Sequence, residues 1–266
     1  MCFNETFVPP VSSARTGSSP EVAYCVVWHE ATYGRTGDAV ASAFFGLVDE
    51  LRDTKEFTFW ADNCSSQNKN WIIFSMFVRI VNESWGPEKI SIKFLTKGHT
   101  HMAADSLHGV IEKKIRAKQV VEDFPELKKV MQDSRQNTRV KELQISDFYE
   151  WKNEKSGKKS VDIQLRKIVQ ASFMKKDSKL YYRYDFDDEL KAVDFLTVKA
   201  KSAIGKGLPK KLWVPRGISR DKKNNILMKL VPHIADTRKR SFWKNIHAAN
   251  VQDLVDEFEG CEPEDE

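Results

Sequence analysis

The sequence predicts an α/β fold in which a sheet with parallel strands is covered by helices. Over residues 22–120, three short apolar segments typical of strands alternate with three segments of helical character. Such alternation favours parallel strands, because each helix returns the chain to the start of the next strand. After residue 120 the alternation ends, and the chain becomes strongly charged. Four regions are predicted: a disordered leader (1–21), the α/β core (22–120), an α+β extension (121–248) and an acidic tail (249–266).

The first strand and helix of the core follow directly from local patterns. AYCVVWHE (23–30) is rich in β-branched and aromatic residues and predicts a buried strand. Glycines at 34 and 37 indicate a loop. Asp38 is expected to cap the helix that follows, which carries apolar residues on one face.

Two more strand and helix pairs complete the predicted core. FTFWAD (57–62) alternates and predicts a strand that ends on Asp62, and the apolar segment from Trp71 predicts a buried helix. KISIKFL (89–95) predicts the third strand. A helix is expected from about Met102. In the extension, residues 168–187 predict a hairpin of two strands, and Ser219 is expected to begin a helix.

Composition restricts the class of protein. The 266 residues carry a net charge of +5 and are 41% hydrophobic, which allows a packed core. The four cysteines have no paired spacing, which favours a reducing compartment over a disulfide scaffold. No segment approaches the roughly 20 apolar residues of a membrane span. We expect an intracellular protein with no membrane partner, and the nucleus is favoured over the cytoplasm.

Acidic residues around Asp62 predict a metal site. A carboxylate at the C-terminal end of a strand lies where α/β proteins usually bind ligands. Asp105, His108 and Glu112 are spaced i, i+3 and i+7, which places them on one helix face. Gathered carboxylates hold the two metal ions of phosphoryl-transfer sites, and Mg2+ prefers oxygen ligands. We therefore predict Asp62, Asp105 and Glu112 as catalytic residues and ligands of Mg2+ or Mn2+, with His101 and His108 as auxiliary residues.

The same residues also allow structural interpretations. Asp62 could cap the following turn or helix. Asp105 and Glu112 could lie on a solvated helix, with Glu112 paired to a neighbouring cation, Lys113, Lys114 or Arg116. A zinc site is a further alternative, formed by Asp105 with His99, His101 and His108.

Three motifs resemble those of a large uncharacterised family in animal genomes that is thought to derive from transposons. They are HEATYGRTGDAVAS (29–42), DNCSSQNKNW (62–71) and GHTHMAADSLHGVIEK (98–113). Members of that family read Asp-Asn-Cys-Gly-Gly-Gln-Asn-Lys-Asn, then Gly-His-(Ser/Thr)-x-x-x-x-Asp, and their usual ending is similar to residues 219–246. The order of the acids resembles the ribonuclease H-like fold of DDE transposases and integrases. Over about 22–248, the resemblance implies a ribonuclease H-like core of mixed sheet with flanking helices, ancestrally a metal-dependent nuclease or strand transferase.

The chain departs from that family at its N-terminus. Members carry a Phe-Asp segment and a further strand upstream, and the ribonuclease H-like site uses an Asp on its first strand. Here a polar leader stands in that place, so we expect an incomplete fold and a degenerate site. By that alignment the strand at 23–30 is the third strand, at the sheet edge. Three spacings of about 4.8 Å then place Glu30 roughly 14 Å from the Asp62 strand, too far to replace the missing Asp.

A basic block at 199–244 predicts a nucleic-acid partner. It contains fourteen Lys or Arg against two Asp, interleaved with Trp213 and Trp243. Cations could contact phosphates while the tryptophans stack on bases; alternatively, the tryptophans pack inside and the cations are solvated. DNA is favoured over RNA, and the sequence predicts no oligomeric state. The predicted contacts are Gln67, Lys69, Lys210, Lys211, Arg216, Lys222, Lys223, Arg238, Lys239 and Arg240.

Three functional hypotheses follow. The first is a transposase-derived domain that cleaves or transfers phosphodiester strands with Mg2+ or Mn2+. The second is a domesticated, non-catalytic module that binds nucleic acid or protein and needs no cofactor. The third is a structural protein without a nucleic-acid role.

Overall fold

The computed structural model describes residues 1–9, 22–63, 68–95, 102–154 and 162–252. Its strands are β1 (Cys2–Phe7), β2 (Ala23–His29), β3 (Glu56–Ala61), β4 (Lys89–Phe94), β5 (Thr138–Glu142), β6 (Gln170–Met174), β7 (Leu180–Arg183), β8 (Lys191–Val193), β9 (Ile218–Ser219) and β10 (Ala248–Ala249). Its helices are α1 (Gly37–Glu50), α2 (Trp71–Val81), α3 (Ala103–Lys118), α4 (Phe124–Gln132), α5 (Trp151–Glu154), α6 (Val198–Ala203), α7 (Arg220–Asn225) and α8 (Thr237–Asn245). The predicted mixed α/β class is confirmed.

The chain folds into two compact units, and each is built from separate segments. The first unit takes its described residues from Met1–Arg35, His101–Ile145 and Trp213–Val255. The second takes them from Thr36–Thr100 and Ser146–Leu212. This division differs from the predicted boundary near residue 120, because strands that are adjacent in sequence join different sheets.

The sheet of the first unit is mixed and has the order β1-β2-β5 among the described residues. Strand β2 pairs antiparallel with β1 and parallel with β5. The leader predicted to be disordered therefore contains a strand, and β2 is not the edge strand that the alignment implied. Phe3 of β1 packs its ring 5.5 Å from the Trp28 ring. Cys2 of β1 also packs against the core cluster that contains Cys25 and Val27, and β2 supplies the backbone partners.

The sheet of the second unit has the order β3-β4-β6-β7-β8. Strands β3 and β4 are parallel, as predicted, and β6 and β7 form the predicted antiparallel hairpin. Since β2 and β3 belong to different sheets, the spacing estimate that placed Glu30 roughly 14 Å from the Asp62 strand does not apply. Alternating patterns identify strands, whereas sheet membership depends on partners far away in the sequence.

Helices α1 and α2 form the core of the second unit. The Phe77 ring of α2 contacts Phe44 of α1 at 5.6 Å and Phe173 of β6 at 5.4 Å. Thr36 caps α1, so the prediction that Asp38 is the cap is wrong. Asp38 is instead buried, and its carboxylate accepts a hydrogen bond from the backbone N–H of Lys152.

Candidate functional site

Asp62 lies where the sequence predicts it. It directly follows β3, at the carboxyl end of the parallel β3–β4 pair. The Asn68 side chain donates a hydrogen bond to Asp62 Oδ1 at 2.6 Å. Helix α2 is capped by Asn70 rather than by Asp62. Asp62 is therefore held by an amide of its own motif.

Lys69, predicted to contact nucleic acid, is buried with only 4% of its surface exposed. Its ammonium donates to the Asn63 side chain and, at 2.9 Å, to the Arg166 carbonyl oxygen. It also lies 4.5 Å from the centre of the Phe94 ring. Burial lowers the pKa of Lys69 from 10.5 to about 8. In this arrangement Lys69 positions the turn that follows Asp62, and its ammonium is not open to a phosphate.

Helix α3 places its predicted site residues on the exposed side, while Leu107 and Ile111 are buried. The Asp105 carboxylate accepts a hydrogen bond from the backbone N–H of Met102 at 2.7 Å and so caps its own helix. Glu112 pairs with Arg116 at 3.3 Å, with both side chains largely exposed. These contacts agree with the structural interpretation of the two acids.

His108, the one predicted auxiliary residue that is described, contacts a neighbouring strand. Its Nε2 lies 2.8 Å from the hydroxyl of Thr6 on β1. Gln67, His99 and His101 lie outside the described residues. The zinc alternative that needs these histidines is therefore untested.

The three predicted metal ligands are divided between the two units. Asp62 belongs to the second unit, and Asp105 and Glu112 belong to the first. Within the described ranges, no group of three or more His, Cys, Asp or Glu side chains could hold a metal ion. The joint metal site of Asp62, Asp105 and Glu112 stays a prediction.

The part of the chain that carries these residues was compared with known families. Residues 50–180 match the domain of unknown function DUF7869. The DUF7869 match begins just before β3, extends to the start of β7 and includes Asp62, Lys69, Asp105 and Glu112. No curated protein and no solved structure matches the chain. The DUF7869 match assigns no activity, and a link to transposons or to the ribonuclease H-like fold stays a proposal.

The basic block lies outside the DUF7869 match, and most of its predicted contact residues are engaged within their own unit. Lys222 pairs with Glu30 at 2.8 Å, and Lys239 pairs with Glu122 and Glu126 at 2.7 and 2.9 Å. Backbone carbonyl oxygens accept from the other three engaged cations of the first unit, Arg216, Lys223 and Arg240. In the second unit, Lys210 lies 3.6 Å from Glu150, and Lys211 lies over the Tyr149 ring.

The Lys239 contacts have a clear electrostatic effect. Burial of Glu126 opposes ionisation, but hydrogen bonds from the Glu122 backbone N–H, Lys118 and Lys239 outweigh it and lower the pKa of Glu126 to about 2. The same contacts raise the pKa of Lys239. This cluster stabilises the start of α4, and Lys239 is one of its central members.

Other cations of the block remain exposed. Of these, only Arg238 was among the nucleic-acid contacts predicted from the sequence. Among the described residues, no side-chain hydrogen bond or ion pair occupies Arg220, Lys229, Arg238 or Lys244. Lys222 and Lys223 precede the half-buried Ile226 by four and three residues, but this spacing does not separate the engaged cations from the exposed ones, because the exposed Lys229 follows Ile226 by three residues. The two tryptophans also differ. Trp213 is 68% exposed, whereas the Trp243 N–H donates to the Glu122 carbonyl oxygen.

The described residues include no helix that is long and apolar enough to cross a membrane.

Proposed function

We propose that this chain is a transposase-derived, ribonuclease H-like domain that now binds nucleic acid and whose phosphodiester chemistry is degenerate. The motif around Asp62, the parallel pairing of β3 with β4 and the DUF7869 match support the descent. The contacts of Asp105 and Glu112 within their own helix support the degeneracy. Asp62 belongs to one unit and Asp105 and Glu112 belong to the other, and we derive no step through a metal.

The exposed cations of the first unit are the observation that carries nucleic-acid binding. Arg220, Lys229, Arg238 and Lys244 belong to one unit, and Trp213 of the same unit exposes most of its ring. Exposed cations contact phosphates and an exposed indole stacks on bases without sequence preference. We expect binding that depends on salt more than on sequence.

The salt dependence measures how many cations take part. Log K falls with log salt by about 0.9 per phosphate contact on duplex DNA and by about 0.7 on a single strand. Four contacts predict slopes of about −3.6 and −2.8, whereas participation of all fourteen cations predicts about −12.6 and −10. Fluorescence anisotropy with labelled duplex DNA, single-stranded DNA and RNA over a salt series measures these slopes.

A matched pair of variants tests the assignment. Changing Arg220, Lys229, Arg238 and Lys244 together to Gln is expected to remove most of the affinity and of the salt slope. The control changes four exposed lysines of the second unit to Gln and should change both far less; these are Lys176, Lys179, Lys199 and Lys206. Absence of binding, binding insensitive to salt, or full affinity in the fourfold variant would refute the proposal.

Degeneracy is tested separately by cleavage. Wild-type protein and Asp62→Ala are incubated with labelled DNA in the presence of Mg2+ or Mn2+, and we expect no cleavage that distinguishes them. Metal-dependent cleavage by the wild type that is lost in Asp62→Ala would overturn degeneracy and make Asp62 catalytic.

A further inference from the structure

The first unit contains a cavity of about 270 Å³ at the carboxyl end of β2. This volume is just below the roughly 300–1,000 Å³ of sites for drug-sized ligands, so it suits a single ring system. Three of the residues that line it are aromatic. The apolar lining consists mainly of Phe124, Ile218, Ile226, Phe242, Trp243 and Ile246.

His29 lies among these aromatic rings. Its imidazole meets the Phe124 ring edge-on at 5.0 Å and the Phe242 ring at 5.9 Å. Burial lowers the pKa of His29 below its ordinary value of 6.5. The Thr32 hydroxyl lies 3.4 Å from Nδ1 and 3.3 Å from Nε2 of this imidazole, so His29 is already engaged within the unit and forms part of the cavity wall.

Asp123 brings a hydrogen-bond acceptor to the cavity. One of its carboxylate oxygens accepts from the backbone N–H of Glu126 at 2.7 Å and caps α4. The other oxygen has no hydrogen-bond partner in the described part of the chain, although only 9% of the residue is exposed. The Glu30 carboxylate also lines the cavity, but Lys222 and the N-terminal ammonium already bind it.

The cavity therefore combines aromatic walls with one acceptor, the second carboxylate oxygen of Asp123, that has no donor among the described residues. A flat heteroaromatic ring would pack against the walls, and an exocyclic amino group would donate to Asp123. We propose that this cavity binds a nucleobase that carries an amino group at its edge, as adenine does, with Asp123 as the residue that selects the amino group.

The proposed function suggests where the base comes from, and the inference rests on that function for this step. Ile226, Phe242 and Trp243 belong to the basic block, and the exposed cations Lys229 and Lys244 follow closely in sequence. A single strand held by these cations could place one unstacked base in the cavity. A free nucleoside presents the same chemistry, so the experiment includes both sources.

The first test exchanges the hydrogen-bond character of Asp123. In Asp123→Asn, the side-chain oxygen can still cap α4, and an NH2 donor replaces the free carboxylate oxygen. Calorimetric titration uses adenosine and 6-methoxypurine riboside, which carry an amino donor and an oxygen acceptor at the same ring position, while N1 is an acceptor in both. We expect the wild type to bind adenosine at least tenfold more tightly than 6-methoxypurine riboside and Asp123→Asn to reverse the order.

The second test fills the cavity. Ile226→Trp places a large ring in the cavity, and Met228→Trp adds the same ring at a neighbouring position that is 77% exposed. Single-stranded DNA with one 2-aminopurine reports base insertion by its fluorescence, and thermal unfolding verifies that both variants fold. We expect Ile226→Trp to abolish the fluorescence change and adenosine binding, and Met228→Trp to retain both.

The outcomes separate the two proposals. Salt-dependent strand binding with no adenosine binding and no effect of Ile226→Trp would overturn the base cavity and leave the proposed function standing. If adenosine binds, Asp123→Asn reverses the order of the two nucleoside affinities and no strand binds, the base cavity would be supported and the proposed function refuted. Equal affinity for adenosine and 6-methoxypurine riboside in the wild type would refute the role of Asp123.

Discussion

The burial of Lys69 makes stability depend on alkaline pH in a way that can be calculated. Its pKa falls from 10.5 to about 8 in the folded protein. Between these values the unfolded chain holds the proton and the folded protein does not, so the free energy of unfolding rises with pH. One pKa unit corresponds to about 1.4 kcal/mol, so relative to pH 7 the free energy of unfolding rises by about 1.4 kcal/mol at pH 9 and by about 2.5 kcal/mol at pH 10.

Lys69→Met isolates this contribution because it keeps an apolar stem and removes the charge. Urea unfolding of wild type and Lys69→Met at several pH values between 7 and 10 measures the difference in free energy of unfolding. As the pH rises, the free energy of unfolding of the wild type should increase relative to that of Lys69→Met by the calculated amount. The control Lys199→Met, which changes an exposed lysine, should follow the wild type. Parallel curves for wild type and Lys69→Met would show that the ammonium is solvated, as a residue open to phosphate would be.

Three further perturbations probe the two units. Because the pKa of Glu126 is lowered from 4.5 to about 2, the stability that its carboxylate contributes is complete above pH 4.5 and is lost as the pH falls towards 2. The wild type should therefore have a higher free energy of unfolding than Glu126→Gln above pH 4.5, and this difference should shrink as the pH falls from 4.5 to 2. Ser42→Ala removes the oxygen that accepts from the buried Trp151 indole N–H at 3.0 Å, so urea unfolding should show a loss of about 1–3 kcal/mol, and no loss would mean that the N–H finds another partner. Gly217→Ala should destabilise by about 1–2 kcal/mol, because the backbone has φ +78° and a Cβ would lie 2.8 Å from His247. Its control, Gly109→Ala in the open middle of α3, should stabilise by about 0.5–1 kcal/mol, and equal thermal shifts would contradict the reasoning.

Local elements were predictable because their signals are local. The alternation in 57–62 and 89–95 depends on neighbours two residues away, and β3 and β4 are formed and paired in parallel as predicted. Ser219 caps α7 as predicted, because a hydroxyl before a helical segment satisfies an exposed N–H. The position of Asp62 after β3 follows from the same local pattern.

What the sequence did not predict depends on distant partners. The polar segment at 2–7 becomes a strand only because β2 offers it an edge, and β2 joins β5 rather than β3. Lys69 looked like a phosphate ligand because a lysine in a polar motif is usually solvated. Its burial depends on the Arg166 carbonyl oxygen, which lies 97 residues further along the chain.

The same reasoning decides which variants can test nucleic-acid binding. Lys223 and Arg240 donate to the carbonyl oxygens of Ile246 and Ile234, which lie just after and just before helix α8 and have no other hydrogen-bond donor among the described residues. Removing either cation would leave a carbonyl unsatisfied and weaken the fold as well as any electrostatic attraction. Loss of binding in such a variant therefore does not identify a phosphate contact. The exposed cations carry no such structural contact among the described residues, so loss of affinity without loss of stability at Arg220 or Lys244 would locate the nucleic-acid surface.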